Sequence, residues 1–212
     1  MGSFRRFLFA FASLACTALG CAETGEPDRL PSTSPPARPA GAEAAAPSRG
    51  IVKPIQWPRR STVDEDARSR ASAELRSAVD RSPVPVLVPP DGDWLAGSVL
   101  IVKEHWYALS ATRDGLSLAL RGTRFAHRHP DIAPQVGRHR VRGQPAFATS
   151  DRRIVSVSWQ EYGAAYSLDL ECAAPDDARC AAPAHVFQLA DRLVFVGGDR
   201  DSTSEADREV PR

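Results

Sequence analysis

The residues best placed to do chemistry form one basic stretch: Arg121, Arg124, His127, Arg128, His129, Arg138, His139, Arg140 and Arg142. Guanidinium forks grip phosphate and carboxylate through paired hydrogen bonds, so Arg128, Arg138, Arg140 and Arg142 are the candidates for holding an anionic glycolipid or an acidic protein partner. A solvated loop in an arginine-rich chain is the plainer alternative. His127, His129 and His139 could offer imidazoles to zinc or copper, because alternate residues of a strand face the same side. Pro130 follows His129 and stops such a strand, so no metal site is expected. Glu104-His105 and Glu161 stand alone, and no Gly-x-Ser-x-Gly, His-Glu-x-x-His, phosphate-loop or dinucleotide pattern occurs. The sequence therefore points to no catalytic residue and no cofactor. Trp106-Tyr107 and Tyr162 could line a carbohydrate or peptide groove, although such aromatics more often serve a core or a turn.

The N-terminus carries a second kind of chemistry. Arg5 and Arg6 precede an uncharged apolar run from Phe7 to Leu19, which is the layout of a signal peptide. The run is shorter than the roughly 20 residues that span a bilayer, so a permanent transmembrane helix is the weaker reading. Ala18-Leu19-Gly20-Cys21 resembles a lipobox, the bacterial lipoprotein motif in which small residues admit the signal peptidase and the cysteine thiol is alkylated by diacylglycerol. Ala18 departs from the leucine most often found at that position. Ser13-Leu14-Ala15-Cys16 is a competing match, but cleavage there would leave a very short apolar region. An ordinary secretory signal is the alternative to lipidation. The resemblance implies residues 1–20 as signal peptide, Cys21 as the lipidated residue, and a membrane partner engaged through acyl chains, since two hydrophobic signals give stable anchoring. Ala22, in place of aspartate, implies the outer membrane where the cell has one.

Cys172 and Cys180 then remain as a pair in an oxidising compartment, where a disulfide is expected. A metal pair lacks partners at zinc spacing, and a redox dithiol lacks Cys-x-x-Cys spacing.

Charge excludes one large class of partner. The full chain carries +1, and loss of Arg5 and Arg6 with the signal leaves −1, so there is no nucleic-acid footprint. Residues 21–50 are rich in Pro, Ala, Gly, Ser and Thr without apolar periodicity, which predicts a disordered tether. Residues 199–212 are charged and lack aromatics, predicting a disordered tail. One domain is expected over residues 51–198.

The elements that would position the site follow from periodicity. Thr62 and Glu65 make a capping-box pattern ahead of one helix striped by Ala67, Ala71, Leu75, Ala78 and Val79, ended at Ser82-Pro83. Val84 to Val88 reads as a proline-broken edge strand. Val99 to Val102 is a compact apolar run. His105 to Thr112 pairs with Leu116 to Arg121 across Asp114-Gly115. Val155, Val157 and Trp159 pair with Tyr166, Leu168, Leu170 and Cys172 across Gly163. Pro183 opens a helix carrying Val186, Leu189, Ala190 and Leu193, and Val194 to Val196 either extends it or adds a strand. The predicted class is α+β: an antiparallel sheet with helices on one face.

Val141-Arg142-Gly143, Val157-Ser158-Trp159, Gly163-Ala164-Ala165-Tyr166 and Leu189-Ala190-Asp191-Arg192-Leu193 resemble the pattern of a family of bacterial domains of unknown function, found in extracytoplasmic lipoproteins and at the C-termini of anti-sigma-factor-like membrane proteins. The resemblance covers about Val84 to Leu193, and the insertion bearing Cys172 and Cys180 departs from it. It implies a non-enzymatic envelope module that binds or scaffolds. The alternative is an envelope hydrolase whose site assembles from scattered residues.

Overall fold

The computed structural model describes residues 49–128, 132–151, 153–174 and 176–201. The signal segment, Cys21, the tether as far as residue 48, His129 and residues 202–212 lie outside the described residues.

The frame is a seven-stranded antiparallel sheet. Its strands are β3 (Val99–Lys103), β4 (Trp106–Arg113), β5 (Leu116–Thr123), β7 (His139–Val141), β8 (Gln144–Asp151), β9 (Ile154–Glu161) and β10 (Ala164–Cys172), in the order β3-β4-β5-β10-β9-β8-β7. Two ribbons flank it. β1 (Arg49–Val52) pairs with β6 (Phe125–Arg128), and β2 (Val86–Val88) pairs with β11 (Val194–Gly197). Five helices lie among the described residues: α1 (Glu65–Arg70), α2 (Ala73–Asp80), α3 (Gly92–Leu95), α4 (Ala178–Ala181) and α5 (Ala184–Arg192).

Two-residue turns join β4 to β5, β7 to β8 and β9 to β10. Each has both central residues at positive φ, namely Asp114 and Gly115, Arg142 and Gly143, and Tyr162 and Gly163. That geometry matches the right-handed twist of the paired strands, which is why aspartate-glycine was a sound hairpin signal. Arg142 and Tyr162 are unusual there and must be held by their contacts.

Period-two alternation sends one set of side chains inward. Leu109, Leu118, Leu120, Val155, Val157, Leu168 and Leu170 form a buried layer beneath α5, α2 and the β2–β11 ribbon. The α+β class and the helices on one face are as expected.

The first helix is divided where a single one was predicted. Thr62 sits in a 3-10 turn, its hydroxyl donating to the Arg59 carbonyl at 2.7 Å, so the capping box does not form. Asp64 caps α1 instead, its Oδ1 accepting from the Ala67 amide at 2.8 Å, and Ser72 caps α2 by accepting from Leu75. A serine that satisfies a new first turn competes with helix continuation, and here it wins. The predicted apolar stripe is nonetheless buried throughout. Val194 to Val196 becomes strand, as β11.

The ordered region is wider than residues 51–198. Arg49 and Gly50 belong to β1, against the predicted tether to residue 50, because β6 gives them a partner. Asp199 to Asp201 are also tied down, against the predicted tail: Asp199 donates its amide to the Ser82 carbonyl at 2.7 Å, and the Arg200 guanidinium lies 5.7 Å from the Trp57 ring centroid. Cys172 and Cys180 form the expected disulfide, with S–S 2.06 Å and Cα–Cα 6.1 Å.

Candidate functional site

Among the described residues the predicted basic segment does not assemble into one patch. Arg124 is buried, and its Nε donates to the Lys53 carbonyl at 3.1 Å, fastening the chain ahead of β6 to the chain after β1. The His127 ring packs edge-on against Phe125 at 5.1 Å, and His139 lies 5.1 Å from Phe187. The side chain of Arg128 falls outside the described residues. Arg138 and Arg140 are exposed at the β7 edge of the sheet, where Arg140 also donates to the Gly143 carbonyl at 2.9 Å.

Arg142 corrects the anion-site expectation. Its Nε donates to Glu161 Oε2 at 2.7 Å, another guanidinium nitrogen donates to the Leu193 carbonyl, and its amide donates to Asp191 Oδ1 at 2.6 Å. Trp159 Nε1 donates to the same Glu161 oxygen at 3.2 Å. Burial opposes the charge on Arg142, yet Glu161 outweighs it and raises the guanidinium pKa. Burial, with Glu161 next to it, also raises the Tyr162 phenol. The group is an internal clamp that ties two hairpin turns to α5 and the start of β11. It holds Arg142 in its positive-φ turn and leaves the guanidinium no room for an outside anion. Sequence reasoning left Glu161 isolated and gave Asp191 no partner, because each stands far from Arg142 along the chain.

A row of inward aromatics braces the opposite ribbon. Tyr107, Gly122, Tyr166 and Trp159 lie side by side on β4, β5, β10 and β9. Tyr166 donates its hydroxyl to the Pro85 carbonyl at 2.9 Å, while Tyr107 Oη accepts the Leu87 amide at 3.1 Å. Burial pushes both phenols well above the ordinary tyrosine range, so they stay neutral. They are core struts, and Trp106 alone of the Trp106-Tyr107 pair reaches the surface.

The outward face of the sheet is the distinctive surface. No helix packs on it among the described residues, and Val99, Ile101, Trp106, Phe147 and Ile154 stand exposed there. The other exposed large apolar residues among those described are Ile51, Val52 and Phe125 on the β1–β6 ribbon and Ile132 and Val136 in the chain leading to β7. Singly exposed apolar residues need no explanation, but these gather on one face of the sheet and around its borders.

Register divides this face into four cross-strand rows. The first runs Lys103, Trp106, Thr123, Ala165 and Gln160. The second runs Ile101, Ala108, Arg121, Ser167, Ser158 and Phe147. Val99, Ser110, Ala119, Asp169, Ser156 and Thr149 make the third, and Thr112, Ser117, Glu171, Ile154 and Asp151 the fourth. The first two rows carry the basic groups and the last two the acidic ones, with serine and alanine at the centre. Beside the first two rows, residues 134–137 wall off an open depression of about 510 Å³ over Pro145, Phe147, Ser158 and Gln160. A second depression of about 510 Å³ borders edge strand β3, lined by Leu100, Val102, Arg81, Lys103 and His105.

Both described cysteines are joined in the disulfide. Among the described residues no three His, Cys, Asp or Glu side chains converge to hold a metal, and no helix is long and apolar enough to cross a membrane. Comparison with protein-family models, curated proteins and solved structures finds no match.

Proposed function

We propose that this chain is a lipid-anchored bacterial envelope lipoprotein whose domain is a non-enzymatic docking module. The observation that carries the reading is the open face of the sheet, where exposed apolar side chains collect while the other face is sealed by helices. The N-terminal signal layout and the Ala18-Leu19-Gly20-Cys21 match support the anchor at Cys21, with the outer membrane as its place where the cell has one. Residues 22–48 then serve as a tether between lipid and domain. Arg138 and Arg140 at the β7 edge remain as anion contacts toward an acidic envelope protein or an anionic glycolipid headgroup.

Photo-crosslinking residues placed in living cells at Ile101, Phe147 and, as a control, Glu74 on the helical side test the reading. Adducts from Ile101 and Phe147 with none from Glu74 are expected. Equal yields from the two sides would remove the open face from the account.

A further inference from the structure

The outward face is complementary to itself. Its four rows run from basic to acidic along the strand direction, and its centre is made of serine and alanine. Place a two-fold axis across the strands, midway between the row of Arg121 and the row of Asp169. Each strand then lies over its own copy with the row order reversed. Arg121 on β5 falls above Ala119 of the second copy, one strand from Asp169 of that copy, and the reciprocal contact follows by symmetry. Within one chain Arg121 and Asp169 are diagonal neighbours, each opposite a small residue, and neither enters an ion pair with any described residue.

The same operation brings one apolar pair together at the β3 edge. Ile101, 50 % exposed, lies over Val99 of the second copy, 60 % exposed. At the other flank Phe147 lies over Thr149 of the copy. Ser158 meets Ser156 between them, and such short side chains let two sheets approach to the roughly 10 Å of aligned face-to-face packing.

From this we infer that the partner seated on the open face is a second copy of this chain, joined face to face in a symmetric dimer. The inference rests on the reading of that face as the docking surface and names its occupant. Lipid anchoring would favour it further by confining both copies to one plane.

The test is sedimentation equilibrium of the mature chain, carrying Cys21→Ser so that no detergent is needed. A concentration-dependent dimer weakened by salt is expected. Arg121→Asp alone and Asp169→Arg alone each place like charges across the interface and weaken association by about tenfold or more. The double variant restores it. A far-UV circular dichroism spectrum matching that of the parent certifies that each variant is folded. A monomer at all concentrations, or a dimer indifferent to the charge exchange, overturns the proposal. Monomeric chains that still give Ile101 and Phe147 adducts to another envelope component would overturn the dimer alone and leave the docking face standing.

Discussion

The Arg142 guanidinium rests on the Glu161 carboxylate at 2.7 Å, with side chains only 15 % and 11 % exposed. A pair this enclosed behaves differently from a surface ion pair, because removing one member leaves the other charged and without its partner. Glu161→Ala is expected to cost about 3 kcal/mol, read by urea unfolding of the variant against the parent chain. Replacing both members with apolar residues should cost less than the single change. A Glu161→Ala variant within about 0.5 kcal/mol of the parent would show that the clamp is dispensable.

Gly122 sits between two rings. A Cβ built there would lie 2.5 Å from Tyr107 Cε1 and 2.9 Å from Tyr166 Cε1, so even alanine must displace both struts. Gly122→Ala should destabilise by about 1–3 kcal/mol, the range for overpacking. Tyr166→Phe should cost about 1–3 kcal/mol by leaving the buried Pro85 carbonyl without its donor. Thermal unfolding of both variants checks the values.

The disulfide closes a short loop, with Cys172 and Cys180 eight positions apart. Its contribution should be about 2 kcal/mol. Paired melts with and without reductant, with the thiol count taken by mass, measure it. The Arg179 guanidinium donates to the Asp114 carbonyl at 3.0 Å, so reduction should also loosen the β4–β5 turn, visible as faster amide exchange at Asp114 and Gly115.

Asp177 offers a pH signature. A hydrogen bond from the Arg179 side chain, then one from its amide, hold the carboxyl down from 3.8 to about 2. A folded pKa below the unfolded one means that the contact stabilises the fold above about pH 4. That contribution disappears as pH falls from about 4 through about 2. Carboxyl-carbon NMR titration should show Asp177 ionised at pH 3, and Arg179→Ala should return it to the ordinary aspartate range.

The parts legible in the sequence were those governed by local rules. Asp114-Gly115 announced its hairpin through backbone conformation, and Val155, Val157 and Trp159 announced their strand through alternation. β8 escaped notice because its inward positions include Ala146 and Ala148, too small to register as an apolar face. The β1–β6 ribbon escaped because β1 lies in a stretch whose partner is over 70 residues away. The candidate site was harder still. A run of arginines and histidines looks like one patch along the chain, but strand pairing sends Arg121 to the open face, Arg124 inside and Arg142 into a clamp. The row pattern of charges on the outer face exists only once the register of five or more strands is known.

Intact-mass spectrometry of the protein extracted from membranes is the decisive check on the proposed anchoring of the domain through Cys21. The expected chain begins at Cys21, carries the mass of the acyl chains, and loses that modification in a Cys21→Ala variant. A chain that retains residues 1–20, or one cut elsewhere without lipid, would contradict it.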